Sequence, residues 1–133
     1  MKKLTRFGVS IENELLKEFD QYLADKCYEN RSEAIRDLIR DALTRQAHKN
    51  IKTVALGTIS LVYDHHSNGL AQRLMDVQHD YHDHITATVH VHIDHHNCLE
   101  IIVVKGQIAK LQALADRLIS VKGVKSGKLC LTI

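Results

Sequence analysis

Nine of the ten histidines lie between positions 65 and 96, and core packing does not account for such a concentration. Histidine-rich tracts are typical of metal binding. Within this stretch, residues 86 to 93 are rich in β-branched side chains and predict a strand. Side chains alternate between the two faces of a strand, so His90 and His92 share a face, about 6 to 7 Å apart at Cα. Two imidazoles placed in this way can bind the same ion.

A second apolar run begins at Cys98, directly after a turn-like segment at residues 94 to 97, so the two runs predict a β-hairpin. An odd-length loop that pairs His92 with Cys98 puts the sulfur on the histidine face, because directly opposed residues share a face. A four-residue loop that pairs Ile93 with Cys98 puts it on the other side. We therefore predict an odd loop, or Cys98 held within the turn itself.

Two imidazoles and a thiolate suit nickel(II), copper or zinc better than magnesium or calcium. The hairpin lacks a fourth ligand, and His79, at the end of the preceding helical pattern, is the nearest good candidate, from the same chain or from a symmetry mate. The alternative is that His90 and His92 line a polar sheet face while Cys98 is a small buried hydrophobic residue. The spacing of His90, His92 and Cys98 favours the interpretation as a metal site. The other histidines of the stretch are expected to be solvated loop residues or weak secondary ligands: His65, His66, His82, His84, His95 and His96.

Composition indicates a soluble globular protein, since 44% of the 133 residues are hydrophobic and 26% are charged. No apolar run approaches about 20 residues and no apolar signal core follows Met1, so we expect a cytoplasmic protein with no membrane partner. Three cysteines form no paired framework, which fits a reducing compartment. Cys27 and Cys130 are expected to fill the core. The net charge of +2 is too small to indicate nucleic-acid binding by itself.

The first fifty residues predict a strand followed by two helices. Residues 6 to 11 alternate strictly, with Phe7, Val9 and Ile11 on the apolar face, which is typical of a strand. Apolar residues at helical spacing predict helices over about 13–26 and 31–46. Between them, Asn30 and Glu33 have the spacing of a capping box that starts the second helix. The lone strand would satisfy its edges by pairing with the same strand of a second chain.

This pattern, with the run Asn-Arg-Ser-Glu-Ala-Ile-Arg, resembles the ribbon-helix-helix DNA-binding dimers. A two-stranded ribbon fits the major groove of double-stranded DNA. Arg6 would bond to guanine and Ser10 to either base type, while the amides near Arg31 and Ser32 would hold a phosphate. The alternative is an amphipathic helical dimerisation module whose charges are only a solvated face.

Beyond a short linker at residues 46–52, the chain predicts a second domain. Its elements are a strand at 53–63, a helix at 68–78, the hairpin at 85–104, a helix from 108 to 119 and a strand at 128–133. The order βαββαβ is that of a ferredoxin-like unit. The predicted fold is therefore α+β, with a ribbon-helix-helix domain over residues 1–47 and a ferredoxin-like (ACT-type) domain over residues 53–133.

The whole chain resembles the NikR family of nickel-responsive repressors, chiefly through the run His-Val-His-Ile-Asp-His-His-Asn-Cys-Leu-Glu. The resemblance implies a homotetramer, a dimer of dimers, with one square-planar nickel(II) per subunit at an interface. It also implies the ligands, three from one chain and the last from another: His90, His92, Cys98 and His79.

Further roles follow from the same resemblance. Tyr63, Gln78 and Glu100 match residues around the nickel site, where such partners orient histidine ligands. Glu33 and Asp37 match positions that help to bind a second cation when DNA is bound. Gly8 stands on the base-reading face where relatives usually carry Ser or Thr, and a glycine cannot donate a side-chain hydrogen bond to a base, so the resemblance does not give the base contact at this position or the operator sequence.

The sequence therefore predicts a repressor and not an enzyme, one that binds a palindromic operator when nickel(II) is bound and controls nickel uptake. Three alternatives remain at this point. One is a regulator that responds to copper or cobalt, and another is a nickel store. The third is a metal-dependent enzyme in which Asp94 or Glu100 acts as acid or base, although nothing pairs either residue with a substrate pocket.

Overall fold

A computed structural model describes residues 2–133 and divides the chain into two units, one ending at Leu43 and the other running from Thr44 to Ile133. Helix α1 spans Asn13–Asp25 and helix α2 spans Arg31–His48. Both agree with the predicted helices to within two residues. The backbone N–H of Glu33 donates to the Asn30 side chain at 2.9 Å, as expected for an N-cap.

Helix α2 continues into residues that were predicted to be linker. Gln46 and Ala47 are good helix formers, so the helix ends only at His48, where turns close from Lys49 to Gln46 and from Asn50 to Ala47. The linker is thus shorter than the sequence indicated.

Residues 2–12 form no strand within the single chain. The alternation of Phe7, Val9 and Ile11 is real, but a strand needs a hydrogen-bonding neighbour, and one copy of the chain supplies none to this segment. The apolar side chains are left exposed, with Phe7 at 70% and Val9 at 69% of full exposure. The predicted ribbon remains a prediction about a pair of chains.

The second unit is a four-stranded antiparallel sheet with two helices, which confirms the predicted ferredoxin-like order. Its elements are β1 (Val54–Tyr63), α3 (Leu70–Asp80), β2 (Ile85–His92), β3 (Cys98–Gln107), α4 (Ile108–Ile119) and β4 (Val124–Leu131), with a short 3-10 helix at His82–His84. The strands lie in the order β2-β3-β1-β4. The last strand begins four residues earlier than predicted, because Lys125, Ser126 and Gly127 interrupt the apolar pattern that identifies a strand.

The two helices of this unit bury one face of the sheet. Alternate residues of β1 and β3 are buried, including Ile59, Leu61, Ile102 and Val104, and they pack with Leu111, Leu114 and Leu118 of α4. The opposite face stays half exposed and carries mainly apolar side chains of the three strands β1, β2 and β3: Leu56, Val62, Val89, Val91, Leu99, Ile101 and Val103.

The expectation that two of the cysteines fill the core is wrong. Cys27 is exposed just after α1, in the left-handed region with φ 62°, and Cys130 is exposed on β4. Cys130 pairs with Thr58 and therefore lies on the half-exposed face of the sheet. Only Cys98 is buried. Among the described residues, none of the helices combines the length and apolar character that crossing a bilayer requires.

Candidate metal centre

The hairpin that joins β2 to β3 has a five-residue loop, residues 93–97, and this confirms the predicted odd loop. Its register sets His92 opposite Cys98 and His90 opposite Glu100, so all four side chains belong to one face. That face is the one covered by the helices, since Cys98 and Glu100 are both buried.

The loop is closed by its own polar groups. The N–H of Ile93 donates to the carbonyl of Asn97 at 3.0 Å. The Asp94 carboxylate accepts from the N–H of His96 at 2.8 Å and from the Asn97 amide at 3.0 and 3.1 Å. The bonds from Asn97 lower the pKa of Asp94, so this carboxylate is ionised when it closes the turn. It is therefore occupied as a turn former, not free to act as a catalytic acid.

The thiol and one imidazole lie side by side. Cys98 is 1% exposed, and its Sγ is 4.0 Å from Nδ1 of His90. The other ring nitrogen, Nε2 of His90, is 3.5 Å from Oε1 of Glu100. His90 and His92 are themselves exposed, because β2 is an edge strand. The sulfur therefore approaches the site from inside the fold, and the imidazoles approach it from the surface.

Glu100 links the hairpin to β1 and α3. Its carboxylate is 2% exposed and accepts hydrogen bonds from the Tyr63 hydroxyl at 2.8 Å and from the Gln78 amide at 2.9 Å. Burial raises the pKa of Tyr63 far above its usual value, and the bond to Glu100 raises it further, so the phenol keeps its proton and donates. The structure thus brings together the three residues that the resemblance grouped around the nickel site.

His79 lies on a different element from the other predicted ligands. It is exposed in the last turn of α3, and its ring stacks on His82 with centroids 5.9 Å apart. Within residues 2–133, His79, His90, His92 and Cys98 include no three donors that lie within 4.8 Å of one another. One chain alone does not gather the four predicted donors around one point.

A different trio does come together, and it was missed as a group when its histidines were considered one by one. Donor atoms of Asp64, His65 and His66 all lie within 4.8 Å of one another just after β1. Burial lowers the pKa of His65, and the nearby rings of His66 and His92 lower it further. The N–H of His66 bonds to Asp64 and lowers the pKa of that carboxyl. The consecutive Asp-His-His run was the signal in the sequence.

Nickel, copper or zinc would fit the hairpin donors. A buried thiol beside an imidazole offers sulfur and nitrogen, the ligand types that such ions prefer. A carboxylate within 3.5 Å of the ring can orient that imidazole. Hard cations such as magnesium, which need several oxygen ligands, have no comparable set at the hairpin face.

The predicted base-reading residues are all solvent-exposed. Arg6, Gly8 and Ser10 lie in the segment before α1. A Cβ built on Gly8 would meet no atom within 4 Å, so packing does not require a glycine there.

The predicted phosphate and cation positions on α2 already have partners within their unit. The Arg31 guanidinium bonds both carboxylate oxygens of Asp20 at 2.9 Å, which lowers the pKa of Asp20. Asp37 accepts from the Tyr28 hydroxyl at 2.8 Å and from Arg40 at 3.1 Å. Ser32 is exposed, and Glu33 is half-buried beside the cap.

Residues 56–132 match the family described as NikR C terminal nickel binding domain. The chain is 53% identical to a nickel-responsive regulator of Nitratidesulfovibrio vulgaris strain Miyazaki F over 132 aligned residues. The alignment covers 99% of this chain and 95% of the relative. The chain belongs to the NikR family of nickel-responsive regulators. It is therefore a regulator and not an enzyme, and it carries that family's nickel-binding domain.

Other relatives extend this match to archaea. The nickel-responsive regulator of Thermococcus onnurineus is 50% identical over 130 residues, which are 98% of this chain and 94% of that one. Among solved structures, an uncharacterized protein from Thermotoga maritima superposes with a TM-score of 0.55 at 14% identity, covering 61% of this chain and all of the other. That likeness concerns the fold alone. All four predicted ligands fall inside the matched nickel-binding region.

Proposed function

We propose that this nickel-responsive regulator is a DNA-binding repressor whose operator-competent form is favoured by nickel(II) held between subunits. The observation that carries the proposal is the hairpin register, which aligns Cys98 with His92 and leaves the sulfur 4.0 Å from His90. A shift of one residue would send the thiol to the opposite face.

The proposed ligands are His90, His92 and Cys98 of one subunit with His79 of the partner subunit. The exposure of the α3 terminus supports this division, because an exposed imidazole that does not complete a donor group within its own chain can reach another chain. When bound, nickel supplies a cross-link between two subunits. One ion per subunit then follows from symmetry, since each chain contributes both halves of a site.

The Glu100 network provides a route from the ligands into the fold. Gln78 immediately precedes His79 on α3, and its amide bonds the same carboxylate that lies beside His90. Fixing His90 therefore fixes Glu100, and through it Gln78 and the end of α3. We propose that this network orders the segment after His79 when metal is bound.

The half-exposed sheet face supports assembly of four subunits. It carries Leu99, Ile101 and Val103 of β3 beside Val89 and Val91 of β2, and it is continuous across both strands. Apolar sheet faces are stable when another layer covers them. A homotetramer, built as a dimer of dimers, would cover this face and bring exposed histidine edges together.

The segment before α1 supports a ribbon made by two chains. Leu4, Phe7 and Val9 line an open apolar groove of about 1060 Å³ together with Phe19 and Ile39. The same strand of a second copy would pair with this segment and cover those side chains. Arg6, Gly8 and Ser10, which alternate with the apolar residues, would then face the major groove, with the amides near Arg31 and Ser32 against phosphate.

A symmetric assembly of this kind would read a palindromic operator with separated half-sites. Metal can tighten DNA binding only as far as DNA favours the same metal-bound state, because the coupling is reciprocal. Repression of nickel uptake genes is the output that fits a nickel-responsive DNA-binding protein. Glu33 and Asp37 would help to bind a second cation when DNA is bound. In the free chain, the Asp37 carboxylate accepts hydrogen bonds from Tyr28 and Arg40.

The test measures nickel stoichiometry and operator binding in the same preparations. Genomic DNA fragments that the protein retains on a filter in the presence of nickel serve as operator probes. The His90→Ala and Cys98→Ala variants should each lose tightly bound nickel and metal-dependent retention while keeping the wild-type circular dichroism spectrum. His95→Ala, in the exposed loop, is the control and should behave as wild type. Unchanged nickel stoichiometry in both site variants would refute the proposal.

A further inference from the structure

One arginine connects α4 to the end of α3 that carries His79. The Arg117 guanidinium donates to the Asp80 carboxylate at 3.1 Å and also lies over the Tyr81 ring, 5.5 Å from its centroid. Asp80 and Tyr81 are the two residues that directly follow His79 in the chain. Arg117 therefore acts on the backbone next to a proposed nickel ligand.

Tyr81 connects this contact to the interior of the second unit. Its ring is half-buried and packs against the core, and its backbone N–H donates to the carbonyl of Gln78 at 3.0 Å, where the helix ends. The contacts of Arg117 are themselves modest, because its side chain is 48% exposed and that of Asp80 is 58% exposed. We therefore expect them to orient one helical turn without contributing much to the stability of the whole domain.

The Glu100 network does not by itself fix the direction of His79. The Gln78 amide bonds the buried Glu100 carboxylate at 2.9 Å, but consecutive side chains on a helix point about 100° apart. The last turn of a helix also tends to fray. A contact on the outer side of the turn is needed to hold the exposed His79 ring, and Arg117 supplies one.

The segment that follows is attached again at its far end. Nδ1 of His84, in the short 3-10 helix, is 3.3 Å from the carbonyl oxygen of Lys105. A Cβ built on Gly106 would come within 2.6 Å of the same nitrogen, so this position of the ring requires a glycine there. Arg117 contacts the stretch between this attachment and the bond from Gln78 to Glu100.

We propose that Arg117 is a positioning residue for nickel binding, which holds the turn that carries His79. It does not touch the metal and acts through Asp80 and Tyr81. A ligand that is already held in its bound orientation loses less conformational freedom on binding, and this raises affinity. The inference rests on the assignment of His79 as a ligand in the proposed function.

The first experiment compares Arg117→Ala with a control at the other end of the same helix. Arg73 is exposed near the start of α3 and donates to the carbonyl of Lys122 at 3.1 Å. In competition with a chelator, Arg117→Ala should bind nickel(II) about 3- to 10-fold more weakly than wild type, a smaller loss than for a residue that bonds a ligand directly. Arg73→Ala should bind as wild type.

Two further measurements separate positioning from a loss of fold. Without nickel, hydrogen exchange of the amides at residues 78–84 should be faster in Arg117→Ala and unchanged in Arg73→Ala. At saturating nickel, Arg117→Ala should show the thiolate absorption of the wild type, because all four proposed ligands are still present. Arg117→Lys keeps the positive charge beside Asp80 and should recover part of the lost affinity.

The second experiment determines in which chain Arg117 acts. Cys98→Ala chains, which supply a functional His79, are refolded together with His79→Ala chains, which supply the hairpin ligands. Adding Arg117→Ala to the Cys98→Ala chain should weaken nickel binding at the restored sites. Adding it to the His79→Ala chain should leave that binding unchanged, although both mixtures carry the same substitution.

Two results would overturn the inference. One is wild-type nickel affinity in Arg117→Ala, and the other is an equal loss whichever chain of the mixture carries the substitution, which would indicate a purely structural role.

Failure of the proposed function would give different results. If His79→Ala alone kept its nickel, Arg117 would have no ligand to position, and both proposals would be refuted. If the mixtures restored no sites, the shared site would be refuted. The nickel affinity of Arg117→Ala relative to that of Arg73→Ala would then decide whether Arg117 supports His79.

Discussion

Glu100 is a carboxylate almost fully removed from water, and its partners explain how the fold accommodates it. A buried charge without partners costs several kcal/mol, so the two donors from Tyr63 and Gln78 are needed for the fold to tolerate it. The third neighbour, His90, is a predicted nickel ligand. Under the proposed function, Glu100 therefore contributes both to the stability of the fold and to the orientation of a metal ligand.

Replacing Tyr63 by Phe tests this link. The change removes the 2.8 Å hydrogen bond and leaves the buried carboxylate with one fewer donor, so stability should fall by about 1–3 kcal/mol in urea unfolding. Nickel affinity should fall by roughly 10- to 100-fold, as for other residues that support a metal ligand. Tyr22→Phe, in the first unit, is the matched control and should change neither. Wild-type nickel affinity in Tyr63→Phe would contradict the role given to Glu100.

Arg6 is the residue whose contribution to base reading is most direct to measure. If it makes a bidentate contact with guanine, Arg6→Ala should weaken operator binding by about 1–3 kcal/mol and leave binding to random DNA almost unchanged. Lys3→Ala should slightly weaken binding to the operator and to random DNA alike, as expected for a contact with phosphate. Fluorescence anisotropy at fixed salt separates the two. An equal loss on operator and random DNA would make Arg6 a phosphate contact.

At the scale of elements, the hairpin shows what a sequence can specify. β-branched residues predict β2 and an apolar run predicts β3, and the requirement that Cys98 share a face with His92 predicts an odd loop or a cysteine within the turn, of which the structure has the odd loop. The spacing of apolar residues predicted the helices, and Asn30 with Glu33 predicted the cap of α2. These features depend on residues close together in the chain, so the sequence is enough to predict them.

Features that depend on contacts with distant parts of the chain, or with a second chain, could not be predicted from the local sequence. The early start of β4 is set by pairing with β1, which Gly127 and its polar neighbours do not signal. Convergence of Asp64 with His65 and His66 depends on how the chain turns after β1. Cys27 and Cys130 are exposed because of how their elements pack, and residue type alone does not predict this. Residues 6 to 11 need a second chain before they can form a strand.

Deleting His95 tests the importance of loop parity. The loop would shorten from five residues to four, and the register of β2 against β3 would shift so that Cys98 and His92 fall on opposite faces. Stoichiometric nickel binding should be lost, whereas His95→Ala, which keeps the loop length, should bind one ion per chain. Equilibrium dialysis gives the result. A deletion variant with normal nickel content would show that the hairpin register does not position the ligands.

At the scale of the whole molecule, the half-exposed sheet face is the surface through which we propose that subunits assemble. Val103 lies near the middle of this face, opposite Thr58 on one side and Ala87 on the other. Val103→Lys would place a charge where a second subunit is expected to pack, so sedimentation should detect a smaller assembly than the tetramer proposed for the wild type. Ala109→Lys, on the exposed side of α4, is the control. A tetramer of unchanged stability in Val103→Lys would rule out this face as the interface.

The central claim is that each nickel site draws His79 from one subunit and His90, His92 and Cys98 from another. The most direct measurement mixes two inactive variants, His79→Ala and Cys98→Ala, unfolds and refolds them together, and counts bound nickel by its thiolate absorption. Each variant alone should bind no tightly held nickel. In the mixture, subunits that pair a functional His79 with a functional Cys98 should restore about a quarter of the sites. A mixture that binds no more nickel than its separate components would contradict the claim.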